Sequence, residues 1–576
     1  MKKWWLFGAL VCLSFDAQAS RDDPERTVIT RQLDVVQGSN YMVAAANPHA
    51  VAAGRAILAE GGSAIDAAVA VQTTLGLVEP QSSGIGGGTF IMYWSAKDQK
   101  LLTLDARERA PAAATQDQFY EAGRAMPWRD AIVGGMSVGV PGVVKGLEVA
   151  HQRFGKLPWE RLFAHPIDLA ERGFEVSPRL SMLLGMKLHP GLTKLSPGKE
   201  YFYPQGEPLP AGSILRNDAY AKTLKAIAKQ GSKAFYHGEL AQRIVDTVRQ
   251  AQIHPGRLSL QDLADYQPIW REPLCGPYRV YTVCGMMPPS SGGLAVLQIM
   301  GMLQHFSLAD YRSDDAALWH LYSQASRVAF ADRERYAADA DFVDVPLQHL
   351  LSPSYLADRA AHINVKQDGG RALPMELTPQ LSYADDDSYS LPSTSHLVIV
   401  DSEGNAVSMT SSIEMAFGSS LMVGGFLLNN QLTDFSLSYE RDGKLVANRV
   451  QAGKRPRSSM APTIVLKDGK PVLLVGSPGG TRIISYVAKT LIAYLDLGMN
   501  LQQAISLPNM SHTNGDVFLI EAGRVSDDFV AELQGMGHKV KQQDMNSGVH
   551  AIAIHGDKLF GAADPRREGS VATAPN

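Results

Sequence analysis

Two hydrophobic textures divide the chain. From about Thr115 to Ala360 apolar residues recur at helical spacing, whereas beyond Ser393 they come in short runs separated by turn residues. Nearer the start, the apolar-periodic run from Ala50 to Glu60 stops at Gly61-Gly62, and Ser63-Ala64-Ile65-Asp66 opens a second helix with a capping-box-like signal. This pattern predicts a helical hairpin over 48–78. Its alanine-rich faces (Ala67, Ala68, Ala70) predict close packing on a sheet, and Gly84-Ile85-Gly86-Gly87-Gly88 opens the next predicted strand, Thr89 to Trp94. That glycine run has neither GxGxxG spacing nor the Lys-Ser/Thr of a phosphate loop, so it reads as close backbone packing.

The helical region is interrupted at Gly134-Gly135, Pro141-Gly142 and Pro288-Pro289-Ser290-Ser291-Gly292-Gly293. Residues 366–393 are polar and acidic (Asp385-Asp386-Asp387) and end in Leu391-Pro392-Ser393, a composition that predicts an exposed, mobile segment. Beyond it, Ser402-Glu403-Gly404-Asn405 and Asp468-Gly469-Lys470 each separate two apolar runs and read as hairpin turns. Strand-rich sheets flanked by helices from both halves predict an α+β sandwich.

Composition narrows the function classes. The 576 residues are 45% hydrophobic with a net charge of −4, which suits a globular protein with a large core. No Lys/Arg-rich stretch offers a phosphate-neutralising stripe, so nucleic acid is not an expected partner. Lys2-Lys3, the apolar run Trp4 to Phe15 and Ala17-Gln18-Ala19 read as a signal peptide over 1–19, which predicts a periplasmic or secreted protein. No later run has the length of a membrane helix, so no membrane association is expected. Outside that signal only Cys275 and Cys284 remain. If the hairpin Arg271 to Met287 turns at Arg279-Val280, the two lie opposite each other and can bond in an oxidising compartment; a register shifted by one leaves two thiols. No histidine cluster accompanies them, so no metal is expected.

The chemistry lies late in the chain. Ser393-Thr394-Ser395-His396 precedes the apolar run Leu397 to Val400, and the hydroxyls of Thr410-Ser411-Ser412 follow, with Glu414. Then come Asn429-Asn430-Gln431 with Asp434, Ser458-Ser459 after Lys454-Arg455-Pro456, and the turn Ser477-Pro478-Gly479-Gly480-Thr481. A hydroxyl nucleophile, charged anchors and adjacent backbone N–H donors are the parts of an acyl-transfer site. A hydroxyl needs a base, and an N-terminal threonine carries its own amine, with an ordinary pKa near ~8.

This ordered series resembles the gamma-glutamyltransferase (glutathione hydrolase) family of N-terminal nucleophile hydrolases. The resemblance spans nearly the whole chain after the signal. It implies an αββα sandwich built from two fragments of a self-cleaved precursor, a large one over 20–393 and a small one over 394–576, associated as a heterodimer. It implies cleavage between Ser393 and Thr394 and assigns the nucleophile to Thr394, in the motif Thr394-Ser395-His396, with His396 a structural neighbour. A second hydroxyl assisting the cut falls on Ser412, where relatives have threonine, and the oxyanion donors fall on Gly479 and Gly480. A γ-glutamyl donor presents an α-carboxylate and an α-ammonium. The family's carboxylate-binding arginine matches Arg107, in Asp105-Ala106-Arg107-Glu108, expected to grip bidentately with help from Ser458 and Ser459. The ammonium anchor matches Asp434 with Gln431, and Glu414, where many relatives have asparagine, adds a second carboxylate. No cofactor is implied.

One departure stands out. The connection Phe435 to Arg457 is shorter than in relatives whose loop closes the glutamyl pocket, its Tyr-Gly is missing, and Tyr439 to Asn448 is polar, which predicts a more open pocket. The expected activity is γ-glutamyl hydrolysis or transfer through a γ-glutamyl-Thr394 ester to water or an amino-acid or peptide amine. A glutaryl or cephalosporin-type acylase is the nearest rival, and an uncleaved exported solute-binding protein is a third reading.

Overall fold

The computed structural model describes Thr27, residues 32–376, 382–386, 388, 391 and 393–575; the predicted signal peptide lies outside them. Two seven-stranded antiparallel sheets form the centre. The first runs, in spatial order, through 570–573, 42–45, 395–400, 406–412, 88–95, 100–106 and 269–271. The second runs through 36–39, 558–563, 550–555, 470–476, 463–467, 281–285 and 274–278.

Side-chain alternation explains the layering. In strand Ser395–Val400, Val398 and Val400 face the second sheet, in one core with Ile464, Leu474 and Ile552. Leu397 and Ile399 face the other way, in a core with the helices Pro48–Ala59 and Ala64–Val78. Both faces are apolar because both are covered. Helices Gly292–Leu303, Ala316–Tyr336 and Ile483–Leu495 cover the far side of the second sheet through Ile299, Tyr322 and Ile484. The result is the expected αββα sandwich, and both sheets contain strands from before and after residue 393, paired with one another at several places.

The predicted helical hairpin forms, and Ser63 and Asp66 cap its second helix reciprocally. Strand Gly88–Ser95 follows the glycine run as expected. The turn at Asp468-Gly469 has positive φ at both residues, the geometry of a tight hairpin. Leu274–Tyr278 pairs with Tyr281–Gly285 so that Cys275 lies opposite Cys284, and the two are bonded, with Cα atoms 4.1 Å apart.

The segment 366–393 differs from expectation. Residues 366–371 are largely exposed, but Ala384, Asp386, Leu391 and Ser393 are buried. Asp386 is the reason: its carboxylate pairs with Arg457 at 2.9 Å and accepts from Asn448, while Ala384 bridges Val446. The acidic composition reflects a buried ion pair here as well as solvation. Among the described residues no helix is long and apolar enough to cross a membrane.

Candidate active site

Thr394 sits at the entrance to strand Ser395–Val400, which is flanked on both sides, by 42–45 and 406–412. The strand therefore holds the residue before it rigidly. Thr394 has φ +111°, a region that β-branched residues avoid. Its hydroxyl donates to Ser412 Oγ at 3.1 Å, and Ser412 Oγ also accepts from the Glu414 N–H at 2.9 Å. The carbonyl of Ser393 accepts from the Gly479 N–H at 3.3 Å, and the Ser393 hydroxyl is tied to the Gln81 carbonyl at 3.0 Å. The bond joining Ser393 to Thr394 is thus oriented on both sides: its oxygen lies on a backbone donor, and the neighbouring hydroxyl has an acceptor for its proton.

Gly479 is glycine for two physical reasons. Its φ is +139°, and a Cβ there would stand 2.6 Å from the Tyr486 ring. Gly480 lines the same cavity and begins the turn that leads into helix Ile483–Leu495. His396 is buried against Thr410, Nδ1 to Oγ1 2.8 Å. Burial, and then His550, hold its imidazole well below its ordinary pKa, so it stays neutral.

The charged end of the pocket comes from three elements. Arg107, fully buried after strand Lys100–Ala106, donates through Nη2 to Asp434 at 2.5 Å and to the Arg457 carbonyl at 3.0 Å. Its Nε donates to the Pro456 carbonyl at 3.2 Å. The free two-pronged fork expected for a carboxylate is therefore absent. Among the described residues only Nη1 makes no hydrogen bond, with Glu108 Oε2 3.6 Å away. Asp434 closes the short helical turn Gln431–Asp434 and accepts from Gln431 Nε2 at 2.7 Å. Glu414, buried in the turn after strand Ala406–Ser412, accepts through Oε2 from Asn430 Nδ2 and the Met415 N–H, both at 2.5 Å. Its Oε1 has no hydrogen bond among the described residues.

Ser458 and Ser459 join these groups. Ser458 Oγ accepts from the Met460 N–H, and Ser459 Oγ accepts from the buried Arg333. One cavity is lined by Arg107, Thr394, Ser412, Glu414, Gln431, Asp434, Ser458, Ser459 and Gly480. Gly479 reaches the junction through its N–H, so all the sequence-derived residues meet at one place.

The cavity has a volume of about 20 Å³, room for roughly one water. The open pocket expected from the short connection 435–457 is not present in the uncut chain. Leu391, just before the junction, forms part of its wall. The connection itself is polar but anchored, with Val446, Ala447 and Asn448 buried and 440–445 forming a small outward hairpin.

Several contributors were not evident from sequence. Arg567 Nη1 donates to the Thr394 carbonyl at 3.3 Å, and Arg333 supports Ser459. No sequence signal singled out the run Asp564-Pro565-Arg566-Arg567-Glu568, whose charged members are all buried. Likewise the Pro288-Pro289-Ser290-Ser291 stretch, read only as a turn, clamps the Ser458 backbone through the Pro289 carbonyl and Ser291 N–H.

The family model for gamma-glutamyltranspeptidase matches residues 50–574. The chain belongs to the gamma-glutamyltranspeptidase family. It is accordingly an enzyme of the hydrolase and acyltransferase class. It is 39% identical over 571 residues to the glutathione hydrolase proenzyme of Bacillus subtilis (strain 168), covering 96% of this chain and 94% of that one. With the glutathione hydrolase proenzyme of Escherichia coli (strain K12) it shares 35% identity over 543 residues, 92% and 91% of the two chains. Among solved structures it is similar to a cephalosporin acylase from Bacillus halodurans, with a TM-score of 0.84 at 29% identity over 95% of this chain and 98% of that one.

Proposed function

We propose that this gamma-glutamyltranspeptidase family member is exported, cleaves itself between Ser393 and Thr394, and then hydrolyses or transfers γ-glutamyl groups. In the first step Thr394 Oγ attacks the Ser393 carbonyl, with Ser412 Oγ receiving the hydroxyl hydrogen bond and the Gly479 N–H facing the developing oxyanion. The C–N bond breaks as the hydroxyl proton, relayed through Ser412 Oγ, passes to the Thr394 nitrogen, which frees the amine, and water hydrolyses the resulting ester. The large and small fragments stay associated as a heterodimer. In the mature enzyme the free amine serves as base, the Thr394 hydroxyl attacks a γ-amide, and the γ-glutamyl ester passes to water or to an amine acceptor.

The observation that carries the donor assignment is the buried pair of opposite charges in one cavity, Arg107 with Asp434 at 2.5 Å, with Glu414 beside them. A donor end bearing both a carboxylate and an ammonium matches it. Arg107 Nη1 and the Ser458 and Ser459 hydroxyls face the carboxylate, and Asp434, Gln431 and Glu414 face the ammonium. The likeness to a cephalosporin acylase supports a second reading, a glutaryl-type acylase. A glutaryl end brings no N–H donor to Asp434, Gln431 and Glu414 and leaves their acceptor oxygens without the contacts an ammonium makes, which disfavours it.

The test is a denaturing gel of purified protein, then kcat/KM on γ-glutamyl and glutaryl anilides. Two bands and a glutamyl preference are expected. A single band would support the solute-binding reading, and a glutaryl preference would replace the donor assignment.

A further inference from the structure

Three carboxylates converge on the one guanidinium at the donor end. Asp434 lies on Arg107 Nη2 at 2.5 Å, Glu108 stands 3.6 Å from Nη1, and Glu414 lines the same cavity. All three residues besides Asp434 are essentially withdrawn from solvent, and the Asp434 side chain is only 10% exposed. Of the other cations nearby, Arg333 donates to Ser291 and to Ser459 of the same cavity and feels the charge of Asp434, while Arg457 pairs with Asp386, so two guanidinium groups face three carboxylates. With every carboxylate ionised, the group would hold an uncompensated negative charge in a dry site.

Both carboxylate oxygens of Glu108 also lack a hydrogen bond among the described residues, but of the two glutamates it is Glu414 that lines the cavity. Its backbone is held at φ +76°, its Oε2 is fixed by Asn430 and the Met415 N–H, and its Oε1 has no hydrogen bond among the described residues. The groups that face it are Asp434 and Gln431 from the helical turn, Arg107 from the first sheet, and, through Ser412, Thr394. Glu108 lies behind Arg107. Burial, and then the charge of Asp434, push the Glu414 carboxyl well above its usual range. Burial also raises Glu108, to about 8.

We propose that Glu414 carries a proton in the free, processed enzyme and releases it when the α-ammonium of an amino-acid donor docks against Glu414 and Asp434. The inference rests on the γ-glutamyl reading above and adds the basis of its specificity. The Glu414 O–H bond breaks and the proton passes to water. The ammonium keeps its three hydrogens and donates to the carboxylate so formed. A glutaryl end brings no cation, and Glu414 keeps its proton. Donor class is then distinguished by a proton count as well as by fit.

L-glutamate and glutarate are the probes, since they share two carboxylates and differ by the ammonium. Calorimetric titration of processed wild type, in buffers of different ionisation enthalpy between about pH 6 and 8, counts protons released. Glutamate is expected to release about one proton more than glutarate where Glu414 is protonated. Its competitive Ki should fall about tenfold per pH unit on rising towards the free-enzyme pKa of Glu414 and level off above it. The Ki of glutarate should show no such fall. Glu414→Gln should abolish the difference in proton count. Equal counts for the two probes in wild type would overturn the proposal, as would an undiminished difference in Glu414→Gln, which would point to Glu108. Should Glu414→Gln fail to self-cleave, the wild-type count decides alone. Absence of any γ-glutamyl turnover would instead sink the donor reading, whereas turnover with equal counts sinks only this one.

Discussion

Thr394 is held at a left-handed φ between a strand hydrogen-bonded on both sides and a Ser393 carbonyl that accepts from Gly479. Such a conformation costs on the order of 1–3 kcal/mol, and cutting the preceding bond frees that dihedral. Thr394→Ala keeps the strain but has no oxygen to attack, so it is expected to stay one chain on a denaturing gel, while Thr394→Ser still cleaves. Ser412→Ala removes the acceptor 3.1 Å from that hydroxyl; conversion of the precursor band is expected to slow by about 10²–10⁴-fold, with Ser412→Thr close to wild type. For the donor end, Arg107→Ala and Asp434→Ala each leave a buried charge unpaired. Each is expected to lose about 30-fold to several-thousand-fold in kcat/KM on a γ-glutamyl anilide, from roughly 2–5 kcal/mol. Because the two side chains bond each other, the double variant is expected to lose clearly less than the product of the single losses; full multiplicativity in that cycle would show that they act separately.

At the scale of elements, the turn at Gly479-Gly480 does what no other sequence there allows. Gly479→Ala is expected to impair self-cleavage and to lower kcat by about 10²–10³-fold on any processed material, since positive φ and the Tyr486 ring both oppose a side chain. The hairpin at the edge of the second sheet is independent of this. Intact protein produced in an oxidising compartment is expected to show Cys275 and Cys284 linked by mass spectrometry without reductant, and two free thiols would contradict the observed pairing. These elements were legible because their signals are local: a glycine pair, a turn at Arg279-Val280, a Ser-x-x-Asp cap at Ser63. The charge-rich ones were not. Asp386 reads as an exposed residue because burial of a charge depends on a partner far along the chain, here Arg457, and nothing marked Arg567 because the Thr394 carbonyl and Asn546 that it meets are equally remote. Likewise Arg107 could be placed at the site by family likeness, but not the occupation of its Nε and Nη2 by backbone carbonyls of Pro456 and Arg457.

Across the whole molecule, each sheet is built from strands on both sides of residue 393, hydrogen-bonded to one another. Size-exclusion of processed protein is therefore expected to give one species containing both fragments, even though a denaturing gel separates them; fragments eluting apart would contradict the interleaving. The sandwich itself was foreseeable from the change of apolar period near 393, whereas strand order was not, because it depends on which distant runs pair. That order also means that covalent connection is needed only once. A continuous chain keeps its two halves at an effective concentration in the mM range, which a cut chain at lower concentration lacks. Unfolded and then diluted, the uncut Thr394→Ala precursor can search for its fold within one molecule, but the mature enzyme must first find its other half. Maturation thus spends the instructions for assembly in the act of making the nucleophile, and the working enzyme is a structure that its own pieces are poorly equipped to rebuild.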